Sequence, residues 1–263
     1  MSTPVTTSGY RDRNSTADKA LTILEMFTES RLSLTAIEVS EELSVGRSSA
    51  YRYLQSLVSR GFLEEAPGGG FRLGLRVLEI ARLARHGYGL SEVALPRMRK
   101  LSERFHQTVL LTRRAGTTVV CLEREVWPGQ LLRISYERGS QLPLTAGASA
   151  LVLLAWLPET EVRSLVASAP LPRFTQNTLT DVEELLGRLR QIRSDGYSIT
   201  HAEVDPDALG LAAPIFNSRD EVIAGLSVVS LASRIDGHIQ SEIIESLRQA
   251  AEEIGHILVS AEA

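Results

Sequence analysis

Five side chains between positions 47 and 55 share one chemistry, that of hydrogen bonding to an anionic, edge-rich surface. If residues 47–59 form a helix, Arg47, Ser48, Tyr51, Arg52 and Gln55 fall on its open side, and Ser59 continues it. Ala50, Leu54, Leu57 and Val58 take the other side and make it apolar. A guanidinium can hold guanine O6 and N7 through two parallel hydrogen bonds, and a Gln amide can read adenine. Ser and Tyr hydroxyls can bond phosphate. No Asp or Glu occurs between Ser44 and Phe62, although the whole chain carries a net charge of −4. A carboxylate on such a face would be repelled by a duplex bearing one negative charge per ~1.7 Å of axis. Pattern alone also allows a solvated polar face on a three-helix bundle.

The elements that must position this face are legible around it. ADKALTILEMF sets Ala20, Ile23, Leu24 and Phe27 at helical spacing, which predicts a first helix near 17–30. Thr35 and Glu38 have capping-box spacing and open a second, short helix that turns Val39 and Leu43 inward. Ser44-Val45-Gly46 breaks it, and Gly61 suits the position just past the third helix. FLEEA and FRLG flank Pro67-Gly68-Gly69-Gly70 as a hairpin, whose Arg72 extends the basic surface. Arg11, Arg13 and Lys19 could add contacts from a polar arm over residues 1–16. The reading is therefore an arm (1–16), a helix-turn-helix unit with a hairpin (17–74), a linker helix (75–90) and a second domain (91–263). The linker LRVLEIARLARHG is amphipathic, with Leu75, Leu78, Ile80, Ala81 and Leu83 apolar.

The second domain has another rhythm. A helix at about 91–105 contains Pro96, and TVLLTRRAGTTVVCLEREVWPGQLLRISYERGS gives three β-rich runs of a meander. Helices are expected near 148–157, 158–168 and 180–195, the last opened by a Thr180-x-x-Glu183 box. LAAPIF and VIAGLSVVS read as a closing pair of buried strands, and 238–259 as a terminal helix. His201, Glu203, Asp205 and Asp207 alternate and would share a strand face able to hold a divalent metal. Pro206 argues instead for a broken strand with solvated carboxylates, and no metal site is assigned. Cys121 reads as a small core residue in TTVVCLERE. Trp127 and Tyr136 suit either pocket walls or core packing.

Composition bounds the rest. The chain has 263 residues and 43% hydrophobic content, enough for a proper core, and one cysteine, which fits a reducing cytoplasm. No apolar run approaches the ~20 residues of a membrane span. Residues 1–90 carry 11 Lys/Arg against 10 Asp/Glu, and the remainder 17 against 22, so the two parts differ in electrostatics. No P-loop, G-x-S-x-G elbow or H-E-x-x-H pair occurs, so neither a cofactor nor a catalytic constellation is expected.

The string LTILEMF…LSLTAIEVSEELSVGRSSAYRYLQSLVSRGFLEE…GGFRLGLRVLEIA resembles the winged helix-turn-helix domain of the IclR family of bacterial transcriptional regulators. GSQLPLTAGASALVLLAWLP, IRSDGYSITHAEVDPDALGLAAPIF and VIAGLSVVS resemble that family's GAF-like effector-binding domain. The resemblance implies an α+β chain: an N-terminal winged helix-turn-helix joined by a linker helix to a GAF-like α/β effector domain. It implies a ligand-responsive repressor or activator whose partners are double-stranded operator DNA and a small-molecule carboxylate, acting as a homodimer or a dimer of dimers. It places DNA contacts at Arg47, Ser48, Ser49, Tyr51 and Arg52, to which Gln55 and Arg72 are added from the residues themselves. It places the effector at Leu132, Ala148, Ser149, Thr200, Gly210, Ser227 and Val229, with the carboxylate on backbone N–H groups at Ala148 and Ser149. Three positions depart from the family pattern: Thr200 replaces an acid, Gly210 a cysteine, and Val229 the second serine of an S-x-S pair. Gly210 is expected to enlarge the pocket, and the lost polar groups to favour an aromatic or medium-sized carboxylic acid. Two rival readings are a small-molecule enzyme and a protein-interaction module, each with an appended winged helix.

Overall fold

The computed structural model describes residues 15–28, 30–87, 89–129, 136–167 and 171–262. The chain divides into two units that meet between Ala84 and Arg85.

In the first unit, α1 (Ser15–Glu25), α2 (Ala36–Glu42) and α3 (Arg47–Ser59) pack around Ile23, Leu34, Val39, Ala50, Leu54 and Leu57. The expected first helix runs on to residue 30, but α1 stops at Glu25. Thr28 and Arg31 exchange backbone hydrogen bonds of 3.2 and 3.0 Å across a tight turn, which takes those groups out of the helix. The capping box forms as expected: the Glu38 carboxylate accepts the Thr35 N–H at 2.6 Å, and the Glu38 N–H donates to Thr35 Oγ1 at 3.3 Å. Gly61 follows α3 at φ +75°, the left-handed conformation that ends a helix at low steric cost.

Strands β1 (Leu63–Glu65) and β2 (Phe71–Leu73) pair antiparallel, with Leu63 opposite Leu73 and Glu64 opposite Arg72. Phe71 also exchanges backbone bonds of 2.7 and 2.8 Å with Leu34, which ties the hairpin to the segment before α2. At Gly70 (φ +81°) a Cβ would lie 2.7 Å from the Leu34 carbonyl oxygen, so this junction requires glycine. Helix α4 (Leu75–Gly87) follows.

Among the described residues, the second unit is built on a six-stranded antiparallel sheet of order β5-β4-β3-β8-β7-β6. The strands are β3 (Thr108–Ala115), β4 (Thr118–Glu125), β5 (Gln141–Leu142), β6 (Ser198–His201), β7 (Ala208–Phe216) and β8 (Val222–Leu231). Alternation sends Val109, Leu111, Leu209 and Leu211 to one face, where α5 (Leu90–Phe105) and α9 (Gly237–Glu262) cover them. Leu110, Cys121 and Ala212 point to the other face, under α6 (Ala148–Leu154), α7 (Glu159–Val166) and α8 (Val182–Asp195). Because β7 is covered on both sides, it is apolar almost throughout, as its sequence suggests.

The run LLRIS at 131–135, expected as a third meander strand, lies outside the described residues. Helix α8 is capped one residue later than expected. Asp181 Oδ1 accepts the N–H groups of Glu183 and Glu184, both at 2.9 Å, while the Thr180 hydroxyl accepts from Arg173. An ionised carboxylate is the stronger cap acceptor at the positive end of a helix.

Candidate functional sites

Helix α3 presents Arg47, Ser48, Tyr51 and Arg52 to solvent, with Ser49 and Gln55 half-buried. Ala50, Leu54 and Leu57 are buried beneath them. Tyr51 stands edge-on to Phe71 of the hairpin, with ring centroids 6.2 Å apart, and its hydroxyl accepts from Gln55 Nε2 at 3.1 Å. The aromatic contact and this bond fix two of the six side chains against the hairpin. Arg72 lies across β1–β2 with its guanidinium 3.1 Å from the Glu64 carboxylate. Both partners are well exposed, and such a pair contributes only about 0–1 kcal/mol, so a phosphate can take the guanidinium at little cost. Lys19 is half-buried on α1. Arg11 and Arg13 fall outside the described residues.

A second constellation lies inside the other unit. Ala148, Ser149, Thr200, Gly210 and Val229 line one cavity of about 40 Å³, together with Leu110, Tyr136 and Glu203. Ser227 lies behind it, its hydroxyl 2.7 Å from that of Ser149. Leu132 falls outside the described residues. Two features differ from the expectation. Gly210 does not enlarge the cavity: a Cβ there would come within 2.9 Å of Thr200 Oγ1 and 3.2 Å of the Ala148 Cβ, so those side chains already fill the space. One of the two backbone donors reserved for an effector carboxylate, Ala148, and its neighbour Gly147 are also engaged by the chain itself. The Ala148 N–H donates to Thr200 Oγ1 at 3.1 Å, and the adjacent Gly147 N–H donates to Glu203 Oε2 at 3.0 Å.

Glu203 is the residue that the sequence reading missed, having taken it for a solvated loop carboxylate. It is 5% exposed. Burial raises its pKa above the ordinary carboxylate value, against the opposing effects of the Gly147 hydrogen bond and the Arg188 charge. The alternation that would have aligned it with His201 fails because β6 ends at His201 and Ala202 adopts φ +50°. That turn buries Glu203 and leaves Asp207 exposed, so the four residues form no common metal-binding face. The segment is held from outside: Thr178 Oγ1 donates to the Glu203 carbonyl at 2.6 Å, and Asn177 Nδ2 to the His201 carbonyl at 3.0 Å.

The remaining candidates resolve into packing. Tyr136 is a cavity wall, and its buried hydroxyl has no hydrogen-bond partner among the described residues. Trp127 instead stacks on His106, with centroids 4.4 Å apart. Cys121 is fully buried, its thiol donating to the Glu123 carbonyl at 3.4 Å, and burial pushes its pKa up to about 11.

A helix-turn-helix unit with a hairpin wing, followed by an α/β unit that encloses a cavity, defines a two-part DNA-binding regulator. Residues 16–67 match the IclR helix-turn-helix domain, and residues 83–256 match the C-terminal domain of the bacterial transcriptional regulator IclR. The chain belongs to the IclR family of transcriptional regulators, which are not enzymes. It is 32% identical to the HTH-type transcriptional regulator XynR of Escherichia coli (strain K12) over 235 residues, which is 89% of this chain and 92% of that one. It is 28% identical to the regulator KipR of Bacillus subtilis (strain 168), over 93% of this chain and 97% of that one. Among solved structures it is similar to an IclR homologue from Microbacterium hydrocarbonoxydans complexed with 4-hydroxybenzoate. That match has a TM-score of 0.80 and 31% identity, and covers 94% of this chain and 99% of that one. No helix among the described residues is long and apolar enough to cross a membrane.

Proposed function

We propose that this regulator reads a double-stranded operator with α3, through Arg47, Ser48, Ser49, Tyr51, Arg52 and Gln55, and steadies the contact with Arg72 from the hairpin. It acts in the cytoplasm, where that DNA is. The observation that carries this reading is the exposed, acid-free face of α3 set over an apolar underside. Its effector is a small carboxylic acid, aromatic or of similar size, which occupies the cavity walled by Ala148, Ser149, Thr200, Gly210 and Val229. The apolar wall residues and the 4-hydroxybenzoate complex of the Microbacterium homologue support an aromatic ligand. A cavity of about 40 Å³ holds a few waters at most. Effector binding therefore widens it, and the ligand biases the protein by its differential affinity for the wide and narrow forms.

The functional form is a homodimer, or a pair of dimers, joined at least in part by α4. Leu75, Leu78, Ile80 and Leu83 on that helix are all exposed, an arrangement that favours a partner surface. Two recognition helices then meet half-sites about 34 Å apart, or a multiple of that.

The test is Arg52→Ala on a DNA fragment flanking the gene. Loss of about 1–3 kcal/mol of binding, concentrated on particular base pairs, marks Arg52 as a base reader. A uniform loss with a shallower salt dependence makes it a phosphate contact. Unchanged binding contradicts the assignment of this face.

A further inference from the structure

The cavity wall carries an acid of its own, and this bears on which ligands the pocket accepts. The inference rests on the reading of the cavity as the effector site. We propose that Glu203 governs entry to it: an effector carboxylate binds with uptake of one proton from solvent onto Glu203, whose neutral carboxyl then donates a hydrogen bond to the incoming anion.

The geometry leads there in three steps. Glu203 is 5% exposed and forms part of the wall of the cavity of about 40 Å³, so a ligand that widens the cavity does so against this side chain. One carboxyl oxygen accepts the Gly147 N–H, the group adjacent to those on which an effector carboxylate was expected. Several other donors nearby are already engaged, and one side-chain donor is not. The Ala148 N–H is bonded to Thr200, Ser149 and Ser227 are bonded to each other, and the Tyr136 hydroxyl stands ready as one new donor.

The charged groups around Glu203 then decide the sign. Among the described residues, Arg188 of α8 is the cation that acts on it, through its charge, and the Arg188 guanidinium is itself bonded to the Ile199 carbonyl. Asp205 adds a second carboxylate to the same cavity wall, and Tyr136 faces that carboxylate. An effector anion thus arrives beside the buried Glu203 carboxyl. Two carboxylates at close range in a poorly solvated space do not both stay ionised, and they share a proton instead. Burial already disposes Glu203 to hold it. A neutral ligand of the same shape meets no such requirement and can donate to the ionised carboxylate.

Isothermal titration of the full-length protein with 4-hydroxybenzoate, in buffers of different ionisation enthalpy between about pH 6 and 8, counts the protons. The expected result is uptake approaching one proton per site at the upper end. Affinity should fall by up to about tenfold per pH unit there. 4-Hydroxybenzamide, the uncharged isostere, should bind without proton uptake. Glu203→Gln should abolish the uptake and flatten the pH dependence while binding the acid more tightly at the alkaline end. Tyr136→Phe should weaken the acid without changing the proton count.

Tight binding of 4-hydroxybenzoate by the wild-type protein with no proton uptake overturns the proposal and leaves the effector reading intact. That arm needs no variant and so does not depend on how Glu203→Gln folds. If neither this acid nor any of a panel of aromatic and aliphatic acids binds at any pH, the effector reading falls and the proposal falls with it.

Discussion

At the scale of the residue, two buried groups make predictions that differ in kind. Glu203 has a raised pKa in the folded chain, so the folded state holds its proton more tightly than the unfolded state does. Its contribution is therefore favourable at low pH and is lost as pH rises from the ordinary carboxylate range through the folded value. Measured by denaturant unfolding, wild-type stability relative to Glu203→Gln should decline across that interval and level off above it. A difference independent of pH would mean that Glu203 does not titrate there. Cys121 is shut in the core with its pKa at about 11, so its thiol should resist alkylation at about pH 8 in the native protein and react fully once unfolded. Rapid native labelling would contradict its burial. The burial of Cys121 is legible in its strand, TTVVCLERE, whereas that of Glu203 is not. Alternation predicts a shared face for His201 and Glu203, but the left-handed Ala202 turns the chain between them. The effect of Gly210 on cavity size depends on Thr200 and Ala148, which are 10 and 62 positions away in sequence.

Elements were far more legible, and the reason is local. Helix α3 spans Arg47–Ser59, the limits that Gly46, Gly61 and the apolar spacing predict, because each signal acts within a turn of the residue it affects. The capping box before α2 and the paired strands β7 and β8 follow the same rule. Errors gathered where a nonlocal or competing bond decides the outcome. The Thr28–Arg31 turn ends α1 early, and Asp181 displaces Thr180 as the cap of α8. The hairpin is a further test at this scale. It is docked on Leu34 through Phe71, and Gly70 is the residue that permits the approach. Gly70→Ala should destabilise the first unit by about 1–3 kcal/mol through strain at positive φ and the clash with the Leu34 carbonyl. Chemical denaturation of that unit's transition measures it, and an unchanged midpoint would show that the junction relaxes freely.

At the scale of the whole molecule, the account requires assembly and response. Leu78→Glu with Leu83→Glu should shift the sedimenting species towards monomer and weaken binding to a two-half-site fragment far more than to a single half-site. A variant with unchanged mass would remove α4 from the interface. The central claim is that an acid held in the second unit alters how the first unit holds duplex DNA. The most direct measurement is binding of the purified protein to DNA flanking its own gene, across a range of salt, with and without 4-hydroxybenzoate and related acids. The account predicts binding that weakens steeply with salt, depends on Arg52, and changes in affinity when the acid is added. Association that ignores salt and Arg52, or that is untouched by every acid the protein demonstrably binds, would contradict it.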